Sequence, residues 1–112
     1  MHVVYPGSFD PPTSGHLHVI ERARVLFDRL TVIVAVNPDK KNWLSMKDRL
    51  KLLRECCKNW PHVEVVGGKG LLVDQVREIG AHAVLKGIRG QPDLDIEHQM
   101  AIVNYHLGAG VE

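Results

Sequence analysis

Short apolar runs alternate with helical spacings along most of the 112 residues. Val3-Val4-Tyr5 predicts a strand that ends at Pro6-Gly7. Residues 14–27 predict a helix, because Val19, Ile20, Ala23, Leu26 and Phe27 recur at i, i+1, i+4, i+7 and i+8. The β-branched stretch Leu30–Val36 is apolar on both faces, as a strand covered by helices on both sides requires, and it stops at Asn37-Pro38-Asp39. Ser45-Met46-Lys47-Asp48 has capping-box form, and Met46, Leu50, Leu53 and Cys57 continue as one helical stripe, which predicts Cys57 as core filler. Val63–Val66 predicts a third strand closed by Gly67-Gly68, and a helix over about 71–79 follows, with Gly80 placed to end it. Ala81–Leu85 predicts a fourth strand. Ile96, Met100, Val103 and Leu107 predict a closing helix over about 93–107.

The order β-α-β-α-β-α-β-α with short connections predicts an α/β class: a Rossmann-like open parallel sheet of about four strands with helices on both faces. Residues 1–112 are expected to form one domain, since no repeat, linker or low-complexity segment interrupts them. A net charge of +1 supplies no general attraction to nucleic acid or an anionic membrane, so any anion specificity must come from placed residues. No apolar run approaches the ~18 residues of a membrane helix. The adjacent pair Cys56-Cys57 forms neither a CxxC site nor a disulfide framework, and a cytoplasmic location is expected.

Polar residues and glycines fall at the carboxyl ends of the expected strands, where open α/β sheets bind ligands. Gly7, Ser8 and Asp10 follow the first strand; Asn37, Asp39, Lys40 and Lys41 follow the second. Gly67, Gly68, Lys69 and Gly70 follow the third, and Lys86, Gly87 and Arg89 the fourth. Three cationic loops and a glycine-plus-hydroxyl turn on one edge suit a polyphosphate. Gly7 admits a ligand to the backbone, Ser8 offers a hydroxyl, and Gly15 and His16 open a helix whose N-terminal amides favour an anion. Taken singly, each of these residues also fits an ordinary turn before a helix. His16 and His18, at i and i+2, do not share a helix face, so no metal site is read there. Gly67-Gly68-Lys69-Gly70 lacks the Lys-Ser/Thr of a Walker A loop. Trp43 and Trp60 are expected to be packing residues.

The segment Tyr5-Pro6-Gly7-Ser8-Phe9-Asp10-Pro11-x-Thr13-x-Gly15-His16 carries the (H/T)xGH signature of Rossmann-like nucleotidyltransferases and resembles the phosphopantetheine adenylyltransferase family. The likeness continues through Asn37–Lys41, Met46–Arg49, Val63-Glu64-Val65, Gly70–Asp74, Lys86–Arg89 and Glu97-x-Gln99-Met100-Ala101. It implies AMP transfer from ATP to 4′-phosphopantetheine, giving dephospho-CoA and pyrophosphate, with Mg²⁺. It further implies that Ser8 holds the acceptor phosphate, that His16 contacts the α-phosphate, and that Lys40 bridges the two. Gly7, Ser8, Phe9, His16, Gly87, Arg89 and Glu97 would seat ATP; Lys86 would bind substrate, and Leu72 and Asn104 would face the pantetheine arm. His16, Lys40 and Arg89 are the implied catalytic set. The acceptor phosphate is ionised at neutral pH, so positioning and charge stabilisation suffice without a protein nucleophile.

His18 stands where the family carries an acid, and Ile96 where it commonly carries an aromatic. The chain ends at Glu112, where the family begins a fifth strand, so this domain is expected to lack the family's C-terminal strand and helices. The edge thereby left open predicts self-association into a homo-oligomer. The alternative function is a nucleotide- or CoA-binding domain with little or no turnover. Thr13 stands where nicotinate-nucleotide and glycerol-phosphate nucleotidyltransferases carry histidine, which argues against those acceptors.

Overall fold

A computed structural model describes residues 1–36 and 42–87, together with the main chain of 100–104. The elements are β1 (His2–Gly7), α1 (Ser14–Leu26), β2 (Arg29–Val34), α2 (Met46–Cys57), β3 (Val63–Gly67), α3 (Leu72–Ile79), β4 (Ala83–Gly87) and β5 (Met100–Asn104). They build one sheet in the order β3-β2-β1-β4-β5. The first four strands are mutually parallel; β1 runs in register with β2 from His2 opposite Arg29 to Gly7 opposite Val34. Consequently Gly7, Val34, Gly67 and Gly87 all end their strands at one edge of the sheet.

Alternation along the strands divides the core into two layers. Val3, Tyr5, Leu30, Val32 and Val34 face Val19, Ile20 and Ala23 of α1 and Leu53 and Cys57 of α2. Val4, Ile33 and Val84 face Val76 of α3 and Ala81. Helices therefore cover both faces, and the double-sided apolarity of Leu30–Val34 has its physical reason. Cys57 is buried, and desolvation pushes its thiol pKa up to about 11. Gly80 ends α3 in the left-handed conformation, φ 79°, with its N–H donating back to Val76 and Arg77 carbonyls.

Three sequence expectations need correction. The closing helix over 93–107 is not formed at 100–104, which is β5, antiparallel to β4 with Met100 opposite Gly87 and Asn104 opposite Ala83. Ile102 and Val103 favour extended backbone, and pairing with β4 satisfies main-chain groups that its outer edge would otherwise leave open. The rest of that range lies outside the described residues. Trp60 does pack on the core, with the Arg24 guanidinium 4.6 Å over its ring, but Trp43 is 87% exposed. At Ser45 only half of the expected capping box is made: its hydroxyl accepts from the Asp48 N–H at 3.1 Å.

Candidate functional site

The complete capping box sits at the other helix. Thr13 is the N-cap of α1; its Oγ1 accepts from the His16 N–H at 3.3 Å, and its own N–H donates to His16 Nδ1 at 3.0 Å. Histidine here takes the part usually played by Glu or Gln at the third helical position. The consequence is chemical. A ring nitrogen that accepts an amide proton carries no proton of its own, so the neutral imidazole holds its proton on Nε2. That nitrogen is thereby set as a donor. The first turn of α1 contains no acidic residue, so its amides and dipole keep their attraction for an anion.

Phe9 locks the loop from inside. It is fully buried, adopts φ 48°, and meets Tyr5 and His16 edge-to-face at centroid distances of 5.5 and 4.8 Å. A left-handed residue with a Cβ costs on the order of 1–2 kcal/mol, and burial of the ring against two aromatic neighbours offsets it. Gly7 is explained by the same ring, because a Cβ there would lie 3.0 Å from two Phe9 ring carbons. The sequence reading gave Gly7's missing side chain to a ligand; packing of Phe9 claims that space. With its ring inside, Phe9 has only main chain to offer a nucleotide. Ser8, next to it, is exposed.

Asp10 holds the loop on its far side. Its carboxylate accepts the N–H of Trp43 at 2.7 Å and of Leu44 at 2.7 Å, tying the β1–α1 loop to the segment before α2. Arg49 was named in the sequence only as part of a helix start, yet it is 2% exposed and donates to the Ser8 carbonyl at 2.8 Å and the Ala35 carbonyl at 3.2 Å. Gln75 of α3 acts similarly beside β3: its amide donates to the Gly67 carbonyl and its oxygen accepts the Lys69 N–H, each at 3.0 Å. Buried polar groups of this kind are invisible to a hydrophobic pattern, which counts both residues as surface.

Leu72 lines a cleft of about 160 Å³ with Pro6, Ile33, Ala35, Gly68 and Gln75. Gly68 is tightly placed there, since a Cβ would come within 3.1 Å of the Val34 carbonyl oxygen. Lys86 and Gly87 are exposed at the end of β4, and a Cβ at Gly87 would approach the Tyr5 hydroxyl to 3.3 Å. The fold thus brings Gly7, Ser8, Phe9, His16, Leu72, Lys86 and Gly87 to one edge. Lys40, Arg89 and Glu97 lie outside the described residues. Asn104 does not join the others: it pairs with Ala83 at the amino end of β4, whereas the expected helix would have aligned it with Glu97.

Among the described residues no group of three or more His, Cys, Asp or Glu is arranged to hold a metal ion, and no helix is long and apolar enough to cross a membrane. The chemistry available is that of an anion site: a helix N-terminus, a donor imidazole, an exposed hydroxyl and a loop fixed from behind.

Comparison with known proteins agrees. A family profile described as cytidylyltransferase-like matches residues 4–112. The phosphopantetheine adenylyltransferase of Clostridium tetani is 46% identical over 109 residues, covering 97% of this chain and 68% of that protein. Those of Caldanaerobacter subterraneus and Nocardioides are 46% and 47% identical with the same coverage. The crystal structure of the lipopolysaccharide core biosynthesis protein from Thermoplasma volcanium superposes with a TM-score of 0.63 at 24% identity, over 88% of this chain and 81% of that one, and supports the fold alone. With the signature loop built as described and this identity sustained over nearly its whole length, the chain belongs to the phosphopantetheine adenylyltransferases, within the cytidylyltransferase-like family.

Proposed function

We propose that this chain transfers AMP from ATP to 4′-phosphopantetheine, giving dephospho-CoA and pyrophosphate. The observation that carries the proposal is the Thr13–His16 capping box, which puts the proton of the neutral imidazole on Nε2 at the helix N-terminus that follows the signature loop. An acceptor phosphate oxygen attacks the α-phosphorus, the bond to the β-phosphate bridging oxygen breaks, and pyrophosphate leaves with that electron pair. The acceptor is already ionised, so no residue needs to remove its proton. His16 donates a hydrogen bond to a non-bridging α-phosphate oxygen as charge builds there. Ser8 and the first-turn amides of α1 orient the phosphates, and the cleft at Leu72 and Ala35 takes the apolar part of the pantetheine arm. By resemblance, Lys40 and Arg89 would supply positive charge to the phosphates, and Glu97 would seat the nucleotide. These three roles rest on the family signature.

Mg²⁺ enters in this reading as MgATP. The carboxylate nearest in sequence to the phosphate loop, Asp10, is occupied by two main-chain N–H groups, which suits an ion held chiefly by phosphate oxygens and water. Bound in that way, it would screen the charge of the phosphates. A cytoplasmic location is supported by the free adjacent thiols of Cys56 and Cys57. Self-association is supported by the exposed apolar side chains of Val36 and Leu71.

Pyrophosphate release from MgATP should depend on added 4′-phosphopantetheine. Calorimetric binding of ATP without any such release would replace turnover by a binding role. Absence of both would refute the proposal.

A further inference from the structure

Arg49 is the largest fully buried side chain among the described residues, and among those residues no carboxylate pairs with it. A guanidinium taken out of water is unfavourable unless its hydrogen bonds are well met. Here they are met by main-chain carbonyls from three segments: Ser8 at 2.8 Å, Ala35 at 3.2 Å and, more weakly, Ser45 at 3.4 Å. One nitrogen, Nη1, holds both Ser8 and Ala35.

Those two residues belong to different halves of the site. Ser8 opens the phosphate loop after β1, and Ala35 lines the cleft with Leu72 after β2. A peptide group is planar, so holding the Ser8 carbonyl also fixes the direction of the Phe9 N–H across the same bond. Ala35 is further bound to β1, its N–H donating to the Gly7 carbonyl at 2.7 Å. A single guanidinium nitrogen, on a rigid planar group whose Nε is anchored at the Ser45 carbonyl, therefore links the loop that seats the nucleotide phosphates to the wall that seats the acceptor.

We propose that Arg49 is a positioning residue that sets the nucleotide loop against the acceptor cleft, so that the two substrates meet in line. The inference rests on the adenylyl-transfer reading above. A lysine keeps the charge and one nitrogen, but that nitrogen rides on a flexible stem with no second donor to anchor it at the Ser45 carbonyl, so it is not aimed at both carbonyls at once. Arg49→Lys should therefore bind ATP within about threefold of wild type while kcat falls about 30- to 100-fold, the scale of a displacement near 1 Å between reacting groups. Arg49→Met removes the charge as well and should lose at least as much. Leu53→Val, in the same helix and facing the core, serves as the stability control and should leave kcat within twofold.

Calorimetry with ATP, steady-state dephospho-CoA formation and thermal melting on the full chain test this together. An unchanged kcat in Arg49→Lys overturns the inference. So does a parallel loss of ATP affinity and kcat that Leu53→Val reproduces at matched melting temperature. If the wild-type chain binds both ligands but turns nothing over, the adenylyl-transfer reading falls alone. The inference is then judged on whether ATP changes the affinity for 4′-phosphopantetheine in wild type and not in Arg49→Lys; equal coupling in both overturns it. A wild-type chain that binds neither ligand overturns both.

Discussion

Substituting Gly7 by alanine tests the phosphate loop's packing from within. The new Cβ would stand 3.0 Å from two carbons of the Phe9 ring and 3.4 Å from a third. Those are closer than ordinary carbon contacts of about 3.5–4.0 Å, and the ring has little room to retreat. It is fully buried, bracketed edge-to-face by Tyr5 and His16, and mounted on a backbone at φ 48°. Overpacking of a filled site costs about 1–3 kcal/mol. At roughly 4 °C per kcal/mol for a domain near this size, the melting temperature should fall by about 4–12 °C. Urea unfolding should show the same loss as a lower midpoint with an unchanged slope. Because His16 touches the displaced ring, ATP affinity should fall too. The double variant Gly7→Ala/Phe9→Leu separates this account from glycine's backbone freedom: a smaller ring-site side chain should restore part of the loss. If Gly7→Ala is as stable as wild type, or if Phe9→Leu brings no relief, the ring is not what excludes a side chain at position 7.

Thr13→Val keeps the shape of the N-cap but removes its acceptor oxygen, and should cost about 1 kcal/mol in urea unfolding while also slowing adenylyl transfer through His16. Gly80→Ala has open space for a methyl group yet must hold φ 79°, so it should destabilise by about 1–2 kcal/mol; unchanged stability would refute the left-handed cap. Burial raises the Cys57 thiol to about 11, so one equivalent of a disulfide reagent should react at pH 8 in the native chain, at exposed Cys56, and two after denaturation. His2 has its pKa lowered, first by burial and then by Arg29, while its Nε2 lies 2.7 Å from Thr31 Oγ1. The unfolded chain therefore takes up His2's proton first, so its contribution is complete above about pH 6.5 and is lost as pH falls toward the lower folded value. His2→Asn should flatten that part of the pH–stability curve.

How much of this was legible beforehand depended on whether local chemistry decided the outcome. The β-branched run Leu30–Val36, the Ser45 cap and the Gly80 stop each act within a few residues. The two helix signals acted where they stand, while the strand ends at Val34, two residues short of the run, with Val36 exposed. Residues 100–104 went the other way because pairing with β4 outweighed a helical spacing, and nothing local announces a partner strand. The site showed the same division. The position of the glycine-and-hydroxyl loop after β1 could be read from spacing. Arg49 and Gln75 could not, because their burial depends on carbonyls contributed by other segments. Histidine as the reciprocal half of Thr13's cap was missed for a narrower reason: the usual rule looks for Glu or Gln at that place. Trp43 was misjudged because size favours burial only where a neighbour exists to cover it.

That rule also supplies the sharpest test. Glutamine at position 16 can still accept the Thr13 N–H, so His16→Gln should keep the α1 cap while deleting the imidazole. Dephospho-CoA formation from MgATP and 4′-phosphopantetheine should then fall about 10²–10³-fold, the usual cost of losing one preorganised donor to developing charge, with the melting temperature close to wild type. Product formation in the variant at the wild-type rate, or none from the wild-type chain, would contradict the assignment of His16 as the donor to the transferring phosphate.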